Sequence, residues 1–150
     1  IQNYSVGSER EFEGCYQLMS LLTRDGSIVN FVISPTTYFL DHMIVSIGDR
    51  VTGFYDVNVP VILIYPPQYQ ALIIVKENPY QNVKVDYFDS QLVSSDGQLQ
   101  LNMSNYTPML LPNDQPFTSN LANRNLLVVY GSTTRSIPAQ TTPFKIIVMC

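Results

Sequence analysis

The stretch from Ile47 to Val75, IGDRVTGFYDVNVPVILIYPPQYQALIIV, has a faint second rendering at Leu121 to Met149, LANRNLLVVYGSTTRSIPAQTTPFKIIVM. Each opens with a polar turn, Gly48-Asp49-Arg50 or Asn123-Arg124-Asn125, and continues as an apolar run ending at Tyr55 or Tyr130. A Pro-x-Gln loop follows, Pro66-Pro67-Gln68 or Pro138-Ala139-Gln140, and a β-branched run closes each copy. The match is faint in identity but ordered in position. It predicts an internal duplication.

The rest of the chain extends the parallel. Helix signals are nearly absent, Val, Ile, Tyr, Phe and Thr are abundant, and Pro and Gly punctuate at short intervals, as in an all-β protein. CYQLMSLLT from Cys15 reads as a strand stopped by Arg24-Asp25-Gly26-Ser27, and Asp-Gly is a strong hairpin signal. Ile28–Ser34 is its partner, ended by Pro35. Thr36–Met43 reads as a short helical turn or an irregular crossover, with strands expected near Val51–Val57, Val61–Tyr65 and Ala71–Lys76. The second half replays this order: Val83–Phe88 stands for the Cys15 strand, Ser95-Asp96-Gly97 for Asp25-Gly26, the alternating LQLNMS of Leu99–Ser104 for Ile28–Ser34, and Thr107-Pro108 for the region of Thr37. The proline-containing connection Asn78–Asn82 marks the expected boundary, giving units 1–80 and 81–150.

Units this small bury little core alone, so the two are expected to pack together. No run approaches the roughly 18 apolar residues of a membrane-spanning helix. Charged residues make up 13% of the chain, about half the usual share of a soluble domain. Such a surface repels its neighbours weakly and suits self-association or work outside the cytoplasm. The net charge of −4 and the scattered basic residues argue against nucleic acid, which is bound through clustered Lys and Arg. Residues 1–20 lack the basic start and apolar core of a signal peptide, and the chain begins at Ile1, so an upstream leader stays open. Cys15 and Cys150 are the disulfide candidates. Three states are open to them: one buried and one frayed terminal thiol, a bridge closing nearly the whole chain at a gain of ~4–5 kcal/mol, or a bridge between copies through Cys150.

The order of strands in each half resembles a small Greek-key barrel of the OB type. Such barrels often introduce a strand with a V/I-G-D-x-V turn, the form of Ile47-Gly48-Asp49-Arg50-Val51. Asn123-Arg124-Asn125 departs from it, so the second barrel is expected to be degraded or differently closed. By VTGFYD, YPPQYQA and TTRSIPAQTTP the chain also resembles an uncharacterised family from spore-forming Gram-positive bacteria. That resemblance covers most of the chain and implies a source, and no activity.

Catalytic chemistry finds little material. The single histidine, His42, lies between Asp41 and Met43; on a strand Asp41 and His42 would point to opposite sides. A Cys15–His42 pair lacks any motif, and the three Cys and His residues fall short of the four ligands of a structural zinc. Asp86, Asp89 and Asp96 are too dispersed for a calcium loop. Glu9, Glu11 and Glu13 would share one side of a strand and read as a solvated edge. No metal, cofactor or catalytic residue is expected. Three Asn-x-Ser/Thr sequons occur, at Asn3, Asn102 and Asn105; this composition yields one or two anyway, and Asn102 lies in an expected strand. Tyrosine is the abundant resource, and Tyr38, Tyr55, Tyr65, Tyr69 and Tyr80 are the candidate ligand or interface residues.

The expectation is a non-enzymatic structural or interaction protein, two OB-like β-barrels that self-associate in a surface, coat or fibre assembly. An extracellular, cell-surface or spore-surface location is favoured over the cytoplasm. The apolar Phe144–Cys150 run is expected to be a strand either central in a sheet or open to a neighbour. The alternative is an OB-type module binding an oligosaccharide, peptide or single-stranded nucleic acid on its Tyr-rich face.

Overall fold

A computed structural model describes residues 2–4, 14–60 and 63–150. The expected exposed edge at Glu9, Glu11 and Glu13 lies outside the described residues. The architecture is all-β, in two compact units, Ile1–Glu77 and Asn78–Cys150.

Among the described residues the first unit contains β1 (Gln2–Tyr4), β2 (Tyr16–Leu22), β3 (Ile28–Ile33), β4 (Tyr38–Phe39), β5 (Val51–Phe54), β6 (Gln68–Gln70) and β7 (Ile73–Lys76), with a helical turn at Leu40–His42. The Asp-Gly signal forms its hairpin. Gly26 takes φ +86°, a conformation that glycine adopts at no steric cost. Asp25 ties the turn by accepting from the Ser27 amide at 2.9 Å and from the Thr23 hydroxyl. Strands run in the orders β1-β2-β3-β6 and β4-β7-β5. Two of the ladders are parallel, β3 with β6 and β4 with β7. Between them Ser34–Thr37 bulges out, and the separation of paired residues falls from 38 (Asn30 to Gln68) to 35 (Tyr38 to Ile73). Thr37, buried at the bulge, donates its hydroxyl to the Ala71 carbonyl at 2.8 Å. Met19, Phe31, Ile33, Ala71 and Ile74 form the core beneath.

The second unit contains β8 (Asn82–Phe88), β9 (Leu99–Leu101), β10 (Met109–Leu110), β11 (Arg124–Tyr130), β12 (Ala139–Thr141) and β13 (Lys145–Val148). Its sheets run β10-β13-β11-β8 and β12-β9. Again two ladders are parallel, β9 with β12 and β10 with β13, and again paired separation falls by three, from 40 (Leu99 to Ala139) to 37 (Met109 to Ile146). Buried Thr107 donates to the Pro143 carbonyl at 3.1 Å, as Thr37 does to Ala71. The antiparallel partner also recurs. β5 lies against β7 as β11 lies against β13, and the Leu72 and Phe144 amides donate to the Phe54 and Val129 carbonyls, each at 2.8 Å. Tyr55 and Tyr130 are the residues that follow those two carbonyls. Phe88, Leu99, Leu101, Leu121, Leu126, Val128, Ile146 and Val148 make the core.

The sequence expectations need amending in several places. β8 pairs along its whole length with β11 rather than with β9; the connection between β8 and β9 bridges each of them separately, Ser94 to Phe88 of β8 and Val93 to Gln100 of β9. The reason is spacing: residues 89–98 separate β8 from β9, twice the stretch 23–27 between β2 and β3. Ser95-Asp96-Gly97 does turn, but inside that connection, with the Ser94 amide donating to the Leu99 carbonyl at 2.8 Å. Of the strand expected over Val61–Tyr65, Val61 and Ile62 lie outside the described residues, and Leu63 and Ile64 belong to no strand. Pro60 and Pro66 bracket that run, and proline cannot donate to a ladder. Asp41 and His42 are not on a strand; both take left-handed φ, 59° and 52°. β13 is the apolar strand expected near the end of the sequence, and β10 and β11 occupy both its edges. None of the sheets closes on itself among the described residues.

Candidate functional site

The chemistry-bearing groups of the first unit converge where β5 ends and β6 begins. Phe31 sits on β3 opposite Tyr69 of β6, and Gly53 lies under its ring. A Cβ on Gly53 would stand 2.6 Å from Phe31 Cζ, so this strand position has room only for glycine. Tyr55 follows β5 and stacks on Tyr69, with centroids 4.2 Å apart and planes inclined by 21°. Phe31 completes the cluster, tilted against Tyr69 at 5.9 Å and Tyr55 at 6.4 Å. Beside it opens a groove of about 230 Å³, lined by Tyr55, Asp56, Val59, Pro60, Gln68, Tyr69, Gln70 and Leu72. β6 ends its sheet, so residues of both its faces reach the groove.

A second groove, of about 400 Å³, occupies the corresponding place in the second unit. It is built from the loop after β11 (Gly131, Ser132, Thr133, Thr134), from β12 (Gln140, Thr141) and from Phe144. Phe144 precedes β13 as Leu72 precedes β7, and both are about half exposed, at 56% and 50%. Among the described residues no Lys, Arg or His lines either groove, and Asp56 is the one carboxylate. Hydroxyls in the second groove are tied to one another and to backbone: Thr134 bonds Ser136 at 2.7 Å and the Gln140 amide at 2.9 Å, and Thr141 donates to the Ser132 carbonyl at 2.8 Å.

Of the five tyrosines expected to carry function, Tyr55 and Tyr69 meet in the first groove. Tyr38 is buried, with His42 edge-on to its ring at 5.7 Å. Tyr65 and Tyr80 are exposed and line neither groove. Sequence reasoning missed Phe31, Gln68 and Gln70; the available signal was the Gln-Tyr-Gln alternation after the double proline. Cys15 and Cys150 are both exposed and form no disulfide with each other, so of the three states open to them neither the buried thiol nor the bridge closing the chain is the one the structure holds. Among the described residues no three His, Cys, Asp or Glu side chains gather as a metal site.

Two carboxylates stand out electrostatically, and both are turn residues away from the grooves. Lys84 Nζ, 2.6 Å from Asp96, together with the Ser94 hydroxyl and the Gln98 amide holds the Asp96 carboxyl down at about 2. The Thr23 hydroxyl, followed by Ser27, does the same to Asp25, also to about 2. Comparison with protein-family models, with curated proteins and with solved structures finds no match to this chain.

Proposed function

We propose that this is a non-enzymatic interaction protein that self-associates through its first unit, built from two copies of one small Greek-key unit of OB type. The duplication is supported by the recurring ladders. In each unit two parallel ladders flank a three-residue slip, a buried threonine caps the slip, and an antiparallel strand lies on the same partner. The OB-like connectivity is supported by pairing that skips strands, with β3 reaching past β4 and β5 to β6.

The observation that carries the function is a contrast between the two copies of one loop. After β11 the chain runs GSTTRSI to Pro138, and after β5 it runs through VNVPVILIY to Pro66. The scaffold therefore tolerates a hydroxyl-rich loop here, yet the first unit exposes Val57 at 79%, Leu63 at 100%, Ile64 at 49% and Tyr65 at 81%. Exposed apolar residues held on a scaffold that does not need them mark a docking surface. The occupant is a second copy, because the sparse charge of this chain leaves little to repel one. Burying those four side chains would release on the order of 6–10 kcal/mol, against an association cost of roughly 4–15 kcal/mol. Ile44 and Ile47, 85% and 92% exposed in the same unit, add to the gain. Association is thus weak for a single pair and suited to a multivalent surface or coat outside the cytoplasm. A source in spore-forming Gram-positive bacteria fits such a coat.

Sedimentation velocity over a range of concentrations tests this. Wild type is expected to associate with an affinity on the order of micromolar to millimolar. Leu63→Asp, at a fully exposed position, should return the protein to monomer, while Thr133→Asp in the polar counterpart loop should change nothing. A strictly monomeric wild type at millimolar concentration would end the proposal.

A further inference from the structure

We infer that the Tyr55–Tyr69 groove binds a neutral oligosaccharide, a role that goes beyond self-association and uses other residues. Three observations converge on that ligand class. Tyr55 gives one ring face to Tyr69 and remains 39% exposed, so its outer face is an apolar platform at the groove. The C–H-rich face of a pyranose packs on such a platform, against the negative face of the ring. Apart from the Asp56 carboxylate, the groove's polar side chains are amides and hydroxyls: the Tyr55 and Tyr69 hydroxyls and the exposed Gln70 amide make no hydrogen bond to other described side chains or backbone. They offer both donors and acceptors, as vicinal sugar hydroxyls require.

Charge removes the competing classes. With no Lys, Arg or His among the described lining residues and Asp56 present, phosphate, sulfate and uronate groups find no counter-charge there. The groove of the second unit carries no ionisable side chain among the described residues, and Asn, Ser, Thr and Gln supply its polar side chains beside Gly131 and Phe144. A proline-rich peptide would be the other guest of an aromatic groove. It needs apolar anchors, and the second groove keeps only Phe144 while retaining a glutamine of β12, Gln140. What the two sites share is a lining without a cationic side chain among the described residues, together with glutamine amides, chemistry that suits a neutral sugar. At about 230 Å³ the first groove is smaller than the usual drug-sized pocket. It seats a single ring of a longer glycan.

Ligand-observed NMR on the whole chain tests this, with cellotetraose and tetra-N-acetylchitotetraose as neutral probes. A heparin tetrasaccharide and a ten-residue polyproline peptide serve as competitors of the rejected classes. At least one neutral probe is expected to bind with a dissociation constant on the order of millimolar. Tyr69→Ala should weaken it at least about tenfold and Gln70→Ala about threefold, the latter on an exposed side chain outside the core. The Leu63→Asp monomer should bind unchanged, which separates this site from the association surface. Absence of binding by both neutral probes at about 20 mM would overturn the inference. So would tighter binding of the heparin fragment or polyproline, or affinity unaltered in both groove variants.

Discussion

Thr37 and Thr107 show how much one side chain can decide in this protein. Both are buried, and each gives its hydroxyl to a carbonyl of the short link opposite the slip, Ala71 between β6 and β7 or Pro143 between β12 and β13. Thr37→Val keeps the shape and leaves the Ala71 carbonyl without that partner, so it should cost about 1–3 kcal/mol in urea unfolding, as should Thr107→Val. Asp25 and Asp96 act at the surface and through pH. Their carboxyls sit at about 2 in the folded chain, below the ordinary 3.8. The carboxylate is therefore the form the fold favours, and the stability it contributes is present above about pH 4 and lost as pH falls towards 2. Asp96 is 44% exposed, so its pair with Lys84 is screened; Asp96→Asn should cost less than about 1 kcal/mol at neutral pH. The same variant should flatten part of the acid limb, measured by denaturation between pH 5 and 2. The turns themselves were legible as Asp-Gly. The threonine caps were not, because their partners lie 34 and 36 residues away.

At the scale of elements, the two close glycine contacts behave differently. Gly53 on β5 faces a ring that is 6% exposed and locked by Tyr55 and Tyr69. Gly131 faces Phe144, whose ring is 56% exposed and can swing away. Gly53→Ala should therefore destabilise by about 1–3 kcal/mol and disturb the tyrosine stack, whereas Gly131→Ala should cost under about 1 kcal/mol. Thermal unfolding, followed by near-ultraviolet circular dichroism of the tyrosines, would read both. Several strands were marked in the sequence as β-branched runs between turn signals, β3, β7 and β13 among them, but Leu63 and Ile64 form none and β6 at Gln68–Gln70 falls where a loop was expected. Strand pairing was not marked. β2 lies in a hairpin with β3 while its counterpart β8 crosses to β11, and the deciding quantity was the length of the following connection.

For the whole molecule, sparse charge makes a prediction that separates apolar from ionic association. Raising sodium sulfate should strengthen self-association, because excluded salts favour apolar burial, whereas contacts made by ion pairs would weaken as salt screens them. The parallel ladders were invisible in the sequence; nothing local distinguishes a strand that pairs parallel from one that pairs antiparallel. The Tyr55–Tyr69 groove was half visible: aromatics near strand ends drew attention, but Tyr38 looked equivalent and is buried. Composition and turn chemistry alone determined that this chain is all-β and where its Asp-Gly turns fall, because those properties follow from backbone preferences within a few residues. Tertiary structure alone decided which strands are neighbours, which tyrosines meet, and which apolar run stays outside. Those outcomes depend on contacts between residues far apart in the chain, where the local sequence carries no record of its partner.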